Sequence, residues 1–111
     1  MSCYVLDASA FIHGRDLRLF GGRLLTTTLV AEELKDPRAQ AALEVLGVEV
    51  REVDEGEIAK LLKKFPGLSR ADASALLLAL KERCVLLTDD AALAKAARRL
   101  GVEAKGFYFI R

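Results

Sequence analysis

The chain has 111 residues, of which 52% are hydrophobic, enough for one domain with a buried core and too few for two. Seventeen Lys and Arg against 16 Asp and Glu leave a formal charge of +1, so whole-molecule attraction to nucleic acid or membrane is excluded and any polyanion must meet local clusters. Cys3 and Cys84 lie in apolar runs and read as small buried hydrophobes of a reducing cytoplasm, and a lone His13 without a Cys-x-x-Cys pair excludes a zinc site.

No apolar run reaches the roughly 20 residues of a membrane span, and the N-terminus lacks the pattern of a signal peptide. The expectation is a soluble, cytoplasmic, single-domain protein over residues 1–111 with no membrane contact. Cys3 to Leu6 predicts a buried strand that stops at Asp7-Ala8-Ser9, and Ala10 to Ile12 a short helix before Gly14. Leu24 to Thr26 predicts a second strand, after which Thr27 or Thr28 caps a helix running to about Asp36, where Pro37 stops it. A helix over Ala39 to Leu46 ends at Gly47, and Val48 to Arg51 alternates as a half-exposed strand near a sheet edge. Ile58, Leu61, Leu62 and Phe65 recur at helical spacing, with Lys60, Lys63 and Lys64 on the other face, and Pro66-Gly67 ends that helix. Ala71 to Leu80 is apolar nearly all round and predicts a buried helix. Val85 to Leu87 predicts a strand, Ala91 to Leu100 a helix closed by Gly101, and Phe107 to Ile110 a last strand.

Short apolar strands alternating with helices predict an α/β domain whose central, mainly parallel sheet of about five strands carries helices on both faces, a three-layer α/β/α arrangement. In such sheets ligands sit beyond the carboxyl ends of the strands. Asp7 follows the first strand, and Thr88-Asp89-Asp90 follows Val85 to Leu87, so these acids reach the same rim. Glu33 lies in the helix after the second strand. Asp72 opens the helix that must run back before Val85 runs forward, so it too starts at that rim.

Each acid also has a reading without chemistry. Asp7, Asp89 and Asp90 fit helix caps, and Ser69-Arg70-Ala71-Asp72 fits a capping box. Glu33 resists most, because Val30, Glu33 and Leu34 share one helical stripe that places it toward the core, at a cost of several kcal/mol unless a cation meets it. Crowded carboxylates raise one another's pKa and recruit a divalent ion, and an all-oxygen set favours Mg²⁺ or Mn²⁺. Hydrolysis of a phosphate ester is the chemistry such a cluster supports.

At these residues the chain resembles PIN-domain nucleases along nearly its whole length. The motifs are Val-Leu-Asp7-Ala-Ser, Val-Ala-Glu-Glu33-Leu, Leu-Ser-Arg-Ala-Asp72 and Thr88-Asp89-Asp90. The resemblance implies a metal-dependent endoribonuclease with Asp7, Glu33, Asp72 and Asp90 as catalytic metal-binding acids and Asp89 as an accessory ligand. Ser9, Ser69 and Thr88 would bond the carboxylates or the substrate phosphate, although capping explains each as well. The wording is most similar to the archaeal Nob-type branch, which trims the 3′ end of small-subunit ribosomal RNA and usually carries a C-terminal zinc ribbon. No ribbon cysteines occur through Arg111. The VapC toxin branch, with its antitoxin partner, is similar in size and acids. A haloacid-dehalogenase-type phosphatase fits less well, since Asp7-Ala8-Ser9 is not Asp-x-Asp, a phosphoreceiver wants an acidic pair and a late Lys that are not convincing here, and a non-catalytic PIN-like module is disfavoured by the complete quartet.

Single-stranded RNA would have to meet local cations: Arg15, Arg18 and Arg23 near the first strands, Lys60, Lys63 and Lys64 on one helix, and Lys95, Arg98 and Arg99 on another. Charged helix faces are usually just solvated. Phe11 and Phe20 are candidates for base stacking, although core packing is the commoner fate of Phe, and His13 reads as a surface residue. Phe107 to Phe109 offers apolar material for a homodimer.

Overall fold

A computed structural model describes residues 2–12 and 22–106. Five strands, β1 (Cys3–Leu6), β2 (Arg23–Thr27), β3 (Glu49–Arg51), β4 (Val85–Leu87) and β5 (Ala104–Lys105), form one sheet in the order β3-β2-β1-β4-β5. Every pairing is parallel, with Tyr4 opposite both Leu24 and Val85, and Leu6 opposite Leu87. The helices are α1 (Ala8–Ile12), α2 (Thr28–Glu33), α3 (Pro37–Val45), α4 (Glu55–Lys64), α5 (Arg70–Glu82) and α6 (Ala91–Arg99).

The central strands are apolar on both faces because both faces are covered. Val5, Leu25 and Leu86 enter one core with Ile58 of α4, Leu76 of α5 and Leu93 of α6. Leu6, Leu24 and Leu87 enter a second core with Phe11 of α1 and Ala39 of α3. The expected three-layer arrangement follows, and Phe11 is core rather than a stacking platform. The predicted strand Phe107 to Ile110 lies outside the described residues, as do His13, Arg15, Arg18 and Phe20; the fifth described strand is Ala104–Lys105.

Three local details differ from expectation. Pro37 does not stop a long helix but opens α3, with Asp36 as N-cap, because proline is pre-shaped for a first helical position. The preceding helix α2 is one and a half turns long and ends at Glu33, where Leu34 turns extended at ψ 91°. The cysteines are not free. Cys3 and Cys84 form a disulfide that ties the start of β1 to the entry of β4 across 81 residues of sequence. Adjacent parallel strands bring them within 4.9 Å between Cα atoms, a proximity that neither apolar run signals by itself.

Edge strand β3 is held by charge as well as by the ladder. Glu49 accepts from Arg23 at 2.8 Å and from Arg51 at 2.8 Å, and Arg51 reaches Glu82 of α5 at 3.2 Å. Hydrogen bonds from these arginines hold the Glu49 carboxyl down to about 2. At the start of β2, Gly22 at φ +135° lets the chain pass Ser2, whose carbonyl accepts from Arg23 N; a Cβ there would stand 2.4 Å from that oxygen.

Candidate active site

Asp7 leaves β1 and is almost fully buried, with 3% of its surface exposed. It opens α1, its Oδ1 accepting from Ser9 N at 3.0 Å and from Ser9 Oγ. Its Oδ2 accepts from Thr88 Oγ1, which follows β4. Each hydroxyl is itself an acceptor on its other side: Asp89 N donates to Ser9 Oγ at 3.3 Å, and Asp90 N donates to Thr88 Oγ1 at 3.0 Å. The Asp7 carboxylate is therefore clamped by two hydroxyls that are oriented by successive backbone amides of the β4–α6 turn.

Burial pushes the Asp7 carboxyl up from its ordinary range. The Ser9 and Thr88 hydrogen bonds pull it the other way, and the negative charge of Asp72 adds to the rise. Asp72 lies in the first turn of α5.

Asp72 forms the expected capping box. Ser69 Oγ accepts from Asp72 N at 3.0 Å, and Asp72 Oδ2 accepts from Ser69 N at 3.3 Å. Asp90 caps α6, its Oδ1 accepting from Ala92 N at 2.8 Å and Leu93 N at 3.2 Å. Capping thus accounts for one oxygen of each acid. The second oxygens, Asp72 Oδ1 and Asp90 Oδ2, carry no hydrogen bond among the described residues. Ser69 is a cap, whereas Ser9 and Thr88 hold Asp7.

Glu33 is not where the helical stripe put it. It is exposed, at the last residue of α2. The stripe assumed a helix continuing to Asp36, but the chain turns at Leu34, so Val30 enters one core and Leu34 the other, on opposite faces of the sheet. Glu33 therefore needs no cation to offset burial. Asp89 is half-buried beside Ser9.

A second hydroxyl relay fixes α5 against β2. Ser74 Oγ donates to Ala71 O at 2.7 Å, which leaves Thr27 Oγ1 to donate to Ser74 at 2.7 Å while it accepts from Val30 N at 3.1 Å. Both hydroxyls are fully buried, and together they anchor the opening turn of α5, which carries Asp72. Thr27 was legible as a cap; a single serine in an apolar helix carried no signal for Ser74.

Among the described residues, no group of three or more His, Cys, Asp or Glu side chains is spaced to hold a metal ion directly. The donor set fits a sparser mode. Mg²⁺ ordinarily keeps several waters and takes one or two carboxylates together with substrate phosphate. An all-oxygen rim with one clamped carboxylate and two free capping oxygens matches that demand, and the mutual repulsion of Asp7 and Asp72 is what a cation would relieve.

A family model described as PIN domain matches residues 15–110. The chain belongs to the PIN-domain family. Ahead of that matched span lies Asp7, directly after the first strand. Endoribonuclease Nob1 of Methanocaldococcus jannaschii is 32% identical over 115 aligned positions that take in 98% of this chain, which spans 58% of that relative's length. Among solved structures, a PilT N-terminus domain protein of the hyperthermophilic archaeon Sulfolobus solfataricus P2 superposes with a TM-score of 0.71 at 21% identity, covering 97% of this chain and 89% of the other. A protein from Pyrobaculum aerophilum superposes at 0.54 with 20% identity, covering 90% and 97%. These two likenesses concern the PIN fold alone.

Proposed function

We propose that this PIN domain is a cytoplasmic, Mg²⁺- or Mn²⁺-dependent endoribonuclease acting on single-stranded RNA, with the 3′ end of small-subunit precursor ribosomal RNA as its substrate. The observation that supports the chemistry is the buried Asp7 carboxylate clamped by Ser9 and Thr88, with Asp72 and Asp90 opening helices α5 and α6 and each keeping one oxygen outside its cap. The 32% identity to Nob1 favours the ribosomal reading over a toxin. A disulfide is compatible with an intracellular setting in hyperthermophilic archaea, the source of one structural relative.

Asp7, Asp72 and Asp90 would hold the ion, with Asp89 and the exposed Glu33 completing the acidic rim. The ion supplies polarisation of the phosphoryl oxygens and acidification of a water. Ser9 and Thr88 keep the Asp7 oxygens in one orientation. The oxygens of Asp72 and Asp90 left over from capping would face the ion, and the N-termini of α5 and α6 favour negative charge beside them.

The test is cleavage of a labelled RNA spanning the small-subunit 3′ end, and of an unrelated single strand, with Mg²⁺, Mn²⁺ or EDTA. Metal-dependent cleavage lost in Asp7→Asn and Asp72→Asn supports the reading. Equal cleavage by wild type and both variants sinks it. Preference for the unrelated strand would remove the ribosomal assignment alone. Mn²⁺ should raise the melting temperature of wild type more than that of Glu33→Gln if Glu33 joins the rim.

A further inference from the structure

Two helices that are far apart in sequence line one groove of about 310 Å³. Lys64, the last residue of α4, lines it from one side and Lys95 and Arg99 of α6 from the other, with the half-buried Phe65 and the buried Leu68 also in its lining. All three cations are exposed, and none has an ion pair among the described residues. Arg23, Arg51, Arg70 and Lys105, by contrast, are each met by a glutamate. In a chain with a net charge of +1, three unpaired cations converging from two elements form a local positive field. Favourable placement at helix C-termini explains Lys64 and Arg99 singly, but not Lys95, nor the meeting of all three.

The groove also has a direction. Leu68 at one end precedes the capping box of Asp72, and Ala92 follows the Asp90 cap, so the groove opens beside the acidic rim and follows α6 away from it. Lys95 and Arg99 are four residues apart on one helical face, roughly 5–6 Å between Cβ atoms, of the same order as successive phosphates of an extended strand.

We infer that this groove is a subsite for the RNA strand flanking the scissile phosphate, with Lys64, Lys95 and Arg99 on its phosphates and Phe65 offering a face to a base. The inference rests on the endoribonuclease reading for what lies at the rim, yet binding is measurable without cleavage. Fluorescence anisotropy in EDTA with a labelled oligouridylate of about twelve nucleotides compares wild type, Lys64→Gln/Lys95→Gln/Arg99→Gln, and a control pair, Lys81→Gln/Arg83→Gln. The groove triple should lose at least tenfold in affinity and about two in the slope of log affinity against log salt, at roughly 0.7 per phosphate contact. The control pair should lose little. In Mg²⁺ the triple should still hydrolyse a small aryl phosphodiester at the wild-type rate while RNA cleavage falls. Equal RNA affinity of triple and wild type overturns the groove, as does equal binding of a polyglutamate probe, which would make it an undiscriminating anion or acidic-peptide surface. Absence of metal-dependent hydrolysis in wild type, with RNA still bound through the groove, would fail the nuclease reading and leave the subsite standing.

Discussion

Thr88 donates its hydroxyl hydrogen to Asp7 across 81 residues of sequence while accepting the amide of Asp90 on the same oxygen. One side chain therefore couples the exit of β1 to the exit of β4, and it sets where the buried carboxylate points. Thr88→Val keeps the shape and removes both bonds. It should lower RNA cleavage by about 10- to 100-fold, as loss of a group that orients a metal ligand does. It should also cost about 1–3 kcal/mol of stability through the unsatisfied Asp7 and Asp90 amide. Thr88→Ser should restore most of both, and chemical denaturation beside a cleavage assay reads the two effects separately.

The raised Asp7 carboxyl has a consequence for stability. Because its pKa in the fold lies above the ordinary 3.8, the fold binds that proton more tightly than the unfolded chain does. Its stabilising contribution is full below the unfolded value and is lost as pH rises through the folded one. Asp7→Asn removes the buried charge, so at pH 7 without divalent ions it should melt higher than wild type. At pH 3 the two curves should converge. A variant that melts lower at pH 7 would count against burial as the dominant effect.

Asp90 separates capping from chemistry. Asparagine is as good an N-cap as aspartate, whereas alanine is not. Asp90→Asn should keep wild-type stability and lose cleavage, while Asp90→Ala should lose about 1 kcal/mol as well. If Asp90→Asn cleaves RNA normally, the residue is a cap and nothing more.

The Cys3–Cys84 bond closes most of the chain into one loop. Replacing both cysteines by serine should lower the unfolding free energy by on the order of 4 kcal/mol, the loop-closure value for a span of this length. Guanidinium unfolding with and without reductant measures it. Two titratable thiols in the oxidised native protein would contradict the bond.

Much of the architecture was legible because its signals are local. Apolar runs, period and cap chemistry placed β1, β2, β4 and the buried α5, and the parallel-sheet rule gave Asp7 and Asp90 as residues that follow strands β1 and β4. The capping box at Ser69 and Asp72 could be read letter by letter, since both partners lie within one turn. Glu33 misled for the same reason: a stripe over Val30 and Leu34 is a local pattern, and it held only while the helix did.

What only the tertiary structure decided are contacts between residues that share no local pattern. The pairing of β1 with β4 brings Thr88 to Asp7 and Cys84 to Cys3, and the placement of the end of α4 sets Lys64 in one groove with Lys95 and Arg99. A hydroxyl, a thiol or a lysine carries the same one-dimensional signature whether it faces water or a partner 81 positions away. The sequence determined which elements form and which acids reach the rim, through short-range periodicity and capping. The neighbours that clamp, staple and surround that rim were set by strand order and helix placement, which depend on how both faces of the sheet are buried at once.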